Sequence, residues 1–266
     1  MGTFGPRWGR CRLCGEEREL TLAHMPPKRA NNIGRYTVGS IIAQLRGVER
    51  QPMAFLQGGI RDYRLSGPCN SFCGRAYDPE YIAWAWAVIP YLEHERPGVR
   101  EVSLCCRRPL NFLKSALAAL LTSLPAGFGD ANGFGDANPE LVSFVRHRDT
   151  VHLPPEYDVY LTLVRSGRSR LSGLFGSADL TFFSRGKFEI ACELAHPPFG
   201  FMLTLNSPRD NATGRISHLG DYLYNQRANI RFSCVLGETA SPTPGDYRTD
   251  EEIRRPRPDR NAARGG

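Results

Sequence analysis

Two short cysteine pairs carry the first chemistry legible in this sequence. Cys11 and Cys14 stand in CRLCG, a C-x-x-C turn ending in glycine, and Cys69 and Cys73 stand in GPCNSFCG. A tight turn of this kind aims two thiolates at one point, and four thiolates meet the tetrahedral preference of zinc. In a reducing compartment such pairs bind metal or do redox chemistry more often than they form disulfides. The expectation is one structural zinc ion held by Cys11, Cys14, Cys69 and Cys73. The 54 residues between Cys14 and Cys69 exceed the usual zinc-ribbon gap, so a further segment is inserted between the two pairs. Cys105, Cys106, Cys192 and Cys234 lack this spacing and read as small buried hydrophobes.

Between the pairs lies LTLAHMPPKR, with His24 ahead of two prolines and the cations Lys28 and Arg29. An imidazole titrates near neutrality and is suited to taking a proton from water. The charge around it is uneven. Residues 1–80 hold 12 Lys/Arg against 7 Asp/Glu, whereas residues 81–244 hold 16 against 15. The net +7 of the chain therefore concentrates where the cysteine pairs are, which points to a polyanionic partner there. Only three basic residues are Lys (28, 114 and 187), a bias toward Arg that composition alone explains but that does not account for the clustering.

The elements that must position these groups follow from pattern. ELTLAH alternates weakly as a short strand, YTVGSIIAQLRG (36–47) reads as a short amphipathic helix, and YDPEYIAWAWAVIPYLEHE (77–95) as a buried helix with Asp78 and Pro79 at its start. RPLNFLKSALAALLTSL (108–124) is the strongest helical pattern. GFGDANGFGDAN (127–138) duplicates a six-residue unit; no acidic residue closes it as a calcium loop, and it reads as a surface linker. Beyond it, 157–166, 187–206 and 229–238 alternate with period two, the second folding back at HPPFG like a hairpin. Residues 239–266 lack apolar content and read as disordered.

The expectation is an α+β chain. A zinc-stabilised module spans 1–95, a helical connector 96–126, the duplicated loop 127–138, a β-rich domain 139–238, and a tail 239–266. No run of about 18 apolar residues suggests a membrane span, and MGTFGPRWGR has no apolar core of a signal peptide, so the expected location is cytoplasmic. CELAH (192–196) brings Cys192, Glu193 and His196 close in sequence, but in a period-two run Glu193 and His196 face opposite ways. His94, His147 and His152 carry no assigned chemistry.

Over residues 11–85 the chain resembles the HNH endonucleases. Their ββα core is often pinned by zinc through a pattern close to C-x-x-C, an acidic residue followed by H-x-x-P-K, and a second knuckle with Cys-Asn. This sequence offers CRLCG, LTLAHMPPK and LSGPCNSFCG in that order. The resemblance implies a ββα fold and metal-dependent hydrolysis of DNA phosphodiester bonds. His24 would be the general base and Asn70 a ligand of a catalytic Mg²⁺ or Mn²⁺. Lys28 and Arg29 would contact the DNA backbone. It also implies the roles in restriction or defence that small HNH proteins often serve. Two residues depart from the pattern. Ala23 stands where the family has its acidic ligand, with Asp62, Asp78 and Glu80 as candidate replacements. Ser66 stands where the second knuckle would begin with cysteine, which makes Cys73 the candidate for the missing thiolate. A chain that kept the zinc and lost the acid would be a non-catalytic binding module.

Overall fold

A computed structural model describes residues 7–38, 54–94, 98–123, 139–165, 170–176, 190–205 and 213–237. Its first unit is a three-stranded antiparallel sheet in the order β1 (Arg7–Arg10), β2 (Glu17–His24), β5 (Arg61–Ser66). Helix α1 (Gly67–Ala76) leaves directly from the end of β5. The inserted segment expected between the cysteine pairs contains a two-stranded ribbon of β3 (Arg35–Val38) and β4 (Ala54–Gln57). Residues 36–38, expected to begin a helix, are therefore strand: Tyr36, Thr37 and Val38 are aromatic or β-branched and pair with Leu56, Phe55 and Ala54. The rest of that expected helix lies outside the described residues, as do the duplicated loop 127–138 and the tail 239–266.

Helices α2 (Asp78–His94) and α3 (Pro109–Ser123) take the places their patterns predict. Between them, Gly98–Arg107 forms strand β6 where a helical connector was expected. Val102 and Leu104 are buried and their neighbours exposed, so period two decides the local structure. Helix α4 (Pro139–Arg146) was not anticipated, although Leu141, Phe144 and Val145 bury one face at helical spacing.

Strands β7 (Tyr157–Val164), β8 (Arg170–Gly176), β9 (Ile190–His196), β10 (Phe199–Leu205) and β11 (Ala228–Gly237) join β6 in a six-stranded sheet ordered β6-β11-β7-β10-β9-β8. The pairings are antiparallel except β11 with β7. The hairpin at His196–Phe199 forms as its sequence suggests. Cys192 and Cys234 are buried as expected, but Cys105 and Cys106 are exposed. They occupy a bulge where two residues of β6 oppose Asn229 of β11, and the Asn229 side chain accepts from the Cys106 N–H at 2.9 Å.

Aromatic packing ties the helices to this sheet. Trp84 of α2 stacks on Phe112 of α3 with centroids 3.8 Å apart, and Phe112 meets Phe199 and Phe201 edge-on or tilted. A single hydrophobic cluster runs from Cys11 and Leu13 of the N-terminal unit to Leu236 of the large sheet. Buried Lys114 donates to the carbonyls of His147, Arg148 and Thr150, fastening the turn after α4 to α3. No helix among the described residues is long and apolar enough to cross a membrane.

Candidate functional site

Two neighbouring features are built on β2, β5 and α1: a thiol cluster and a polar cleft. The thiol cluster begins with the turn after β1. The Gly15 N–H donates to the Cys11 carbonyl at 2.8 Å, and Gly15 has φ +72, a left-handed backbone that favours glycine. A bulge in the β2–β5 ladder frees the Arg64 carbonyl, which accepts from Arg12 N–H at 2.9 Å and clamps the turn to β5. The Ser66 N–H donates to the Cys11 sulfur at 3.3 Å.

The sulfurs of Cys11, Cys14 and Cys69 consequently lie within 4.8 Å of one another. With Zn–S bonds of about 2.3 Å, tetrahedral geometry places sulfurs about 3.8 Å apart, so this donor set fits a zinc ion. A hydrogen bond between the Cys69 and Cys11 sulfurs lowers the Cys11 pKa to about 4 and pushes that of Cys69 up; a bound cation would favour the thiolate at each.

Cys73 was expected to complete the set and is placed elsewhere. It is not among the three sulfurs within 4.8 Å of one another, although it belongs to the same hydrophobic cluster as Cys11, and burial raises its pKa. Helical spacing explains this: four residues from Cys69 it stays on the inward face of α1, one turn further along the core.

The polar cleft has a volume of about 480 Å³ and is lined by His24, Lys28, Arg29, Asn70 and Asp78 over an apolar floor that includes Leu22 and Ile82. Three elements deliver these groups. Strand β2 ends at His24, α1 presents Asn70, and the first turn of α2 presents Asp78. The residues singled out in sequence as base, oxygen ligand and backbone contacts thus share one cleft, together with one of the candidate replacement acids.

His24 is held by its ring. Nε2 lies 3.1 Å from the Gly58 carbonyl, which can only accept, so Nε2 carries the proton and the neutral ring keeps its lone pair on Nδ1. Burial, above all, lowers the pKa of His24; the Gly58 carbonyl opposes this, and Arg61 and Lys28 add to the lowering. The imidazole is therefore neutral at physiological pH.

The turn that carries the Gly58 carbonyl is fixed at Ile60 by a residue sequence reading missed. Asn32 is fully buried; its Nδ2 donates to Pro26 O at 2.7 Å and Ile60 O at 2.9 Å, and its Oδ1 accepts from Ile60 N–H at 2.6 Å. Asn32 thereby bolts the loop after β2 to the β4–β5 turn. Gly59 in that turn has φ +106, and a Cβ there would stand 2.2 Å from the Asn32 carbonyl oxygen. The sequence signal was faint: an Asn-Asn pair shortly after a strand, indistinguishable from a solvated turn. Asn32→Ala should strand Pro26 O and Ile60 N–H, while Ile60 O keeps its bond from Met25 N–H, and cost about 2–4 kcal/mol, measurable as a lower denaturant midpoint with unchanged slope.

Asn70 is a residue of α1 and donates from Nδ2 to Thr21 Oγ1 at 3.1 Å, while Thr21 donates to Leu65 O at 2.9 Å. With Nδ2 engaged, the group Asn70 can offer a cation is Oδ1. Asp78 accepts from Ser115 Oγ at 2.9 Å, and burial raises its pKa. The other candidate acids are committed elsewhere. Asp62 accepts from Tyr63 N–H and Arg64 Nε and does not line the cleft. Glu80 is buried and accepts from Trp84 Nε1 and Arg108 N–H, both at 3.0 Å. Ala23 is 3% exposed, and its methyl belongs to the core on the other face of β2 from His24.

Among the described residues no second group of three His, Cys, Asp or Glu donors lies within the spacing of the thiol cluster. A cation in the cleft would therefore take few protein ligands and complete its shell with water or substrate oxygens, as Mg²⁺ commonly does. No family model, curated protein or solved structure matches the chain.

Proposed function

We propose that the chain is an HNH-like metal-dependent nuclease that hydrolyses DNA phosphodiester bonds, with a zinc-held ββα module formed by β2, β5 and α1. The observation that carries this reading is the common cleft of His24, Asn70, Asp78, Lys28 and Arg29. His24 takes the proton of the attacking water on Nδ1. Its Nε2–H bond to Gly58 O fixes the ring and stabilises the imidazolium that forms. Asn70 Oδ1 and the Asp78 carboxylate are the oxygen ligands the cleft offers to Mg²⁺ or Mn²⁺, with Asp78 in place of the acid that Ala23 lacks. When bound, such a cation supplies positive charge opposite the phosphate as negative charge develops on it. Lys28 and Arg29, both exposed, meet the flanking backbone phosphates.

Asp78→Asn preserves an acceptor for Ser115 and removes the ligand charge. It should raise the Mg²⁺ or Mn²⁺ concentration needed for half-maximal plasmid nicking by about tenfold or more. An unchanged cation requirement would remove Asp78 from the site. Binding to DNA should fall steeply with salt, and Lys28→Ala/Arg29→Ala should lower the slope of log K against log salt by about two and weaken all sequences alike. Binding indifferent to salt would point to a protein partner.

The second reading is a binding module that has lost cleavage, and the core position of Ala23 favours it. A carboxylate introduced at 23 would enter the hydrophobic cluster at a desolvation cost, so this position does not restore a ligand by simple substitution. In that reading DNA binding keeps its salt dependence and no cation supports nicking.

A further inference from the structure

Three thiols leave one corner of a tetrahedral site to fill. We propose that the hydroxyl of Ser66 fills it, so that the cluster is a three-thiolate, one-hydroxyl zinc site; the inference rests on the zinc reading above. Ser66 is 1% exposed, and its Oγ lies 4.0 Å from the Cys14 sulfur. The Ser66 backbone N–H meets a second sulfur of the cluster, that of Cys11, at 3.3 Å. Its backbone position makes that orientation informative. Ser66 is the N-cap residue of α1, a place where serine normally accepts from the first turn of the helix, yet its side chain makes no capping bond. The hydroxyl has turned away from the helix end and toward the sulfurs. Cys73, the alternative fourth donor, is not among the sulfurs that lie within 4.8 Å of one another.

A neutral hydroxyl is a harder and weaker donor than a thiolate, so the site should hold zinc less tightly than four cysteines would. The test uses the full-length protein loaded with zinc, and in parallel with Co²⁺, whose thiolate charge-transfer absorption scales with the number of bound sulfurs. Wild type should show three thiolates. Ser66→Cys should show four and compete with a chromophoric chelator about 10–100-fold better. Ser66→Ala should keep three thiolates and lose zinc to the chelator about tenfold more readily. Cys73→Ala should keep three thiolates and the wild-type affinity. Four thiolates in wild type, falling to three in Cys73→Ala, would overturn the assignment of Ser66 while leaving the zinc site standing. Equal affinities for wild type and Ser66→Ala would also overturn it. A wild-type protein that binds neither zinc nor Co²⁺ would overturn the zinc reading itself.

Discussion

Replacing Cys11 and Cys14 together by serine should abolish zinc binding and unfold the sheet of β1, β2 and β5. A structural zinc site contributes to folding outright, on the order of 10 kcal/mol in small zinc modules at neutral pH. The turn carrying Cys11 and Leu13 is otherwise pinned to β5 by the Arg64 carbonyl and by the Ser66 N–H bond to the Cys11 sulfur. Purified wild type should contain about one zinc per chain, and a strong chelator should reproduce the effect of the double substitution. The same hydrophobic cluster continues into the aromatic core of Trp84, Phe112, Phe199 and Phe201, so the double substitution should also lower the melting temperature of the whole protein. A double variant that kept its zinc and its melting temperature would show that the thiol cluster is a packed group of cysteines.

His24→Ala should lower the rate of DNA cleavage on the order of 10²–10⁴-fold, the usual contribution of a positioned general base. DNA affinity should change little, because the neutral imidazole brings no charge to the interface. The pH profile provides a second signature. Burial lowers the pKa of His24, so the base form dominates above the ordinary histidine value of about 6.5. The rate should be flat there and decline only at lower pH, with a midpoint below that value. The same shift has a consequence for stability. Between the lowered pKa and the ordinary one, the unfolded chain binds a proton at this position that the folded chain does not, so stability falls as pH drops through that window. An acid limb with its midpoint above the ordinary value would contradict the environment described for His24.

Much of the site was legible in the sequence because its parts are local. The C-x-x-C turn, His24 at the end of an alternating strand and the Cys-Asn opening of α1 each declare themselves within a few residues. Which cysteines cluster was only partly legible, since Cys73 lies one helical turn beyond Cys69 and the sequence does not show that it falls outside the three sulfurs that lie within 4.8 Å of one another. Asp78 was legible as a helix-start residue, but its place beside Asn70 depends on how α2 turns back from α1. Asn32 was missed because its work is mostly tertiary: two of its three bonds reach Ile60, 28 residues away. In the larger sheet, β6 was taken for a connector because it lies between two strong helical patterns, and β8 carries Gly173 and Gly176 within a stretch whose alternation is weak.

Nicking of supercoiled plasmid, with wild type and His24→Ala assayed side by side in Mg²⁺ and in Mn²⁺ at a salt concentration where both bind DNA, tests the cleft most directly. Wild type should convert the plasmid to nicked or linear product only with a divalent cation, and His24→Ala should be slower by two orders of magnitude or more. Equal cleavage by the two proteins, or none by wild type with either cation, would contradict the proposed hydrolytic role of this cleft.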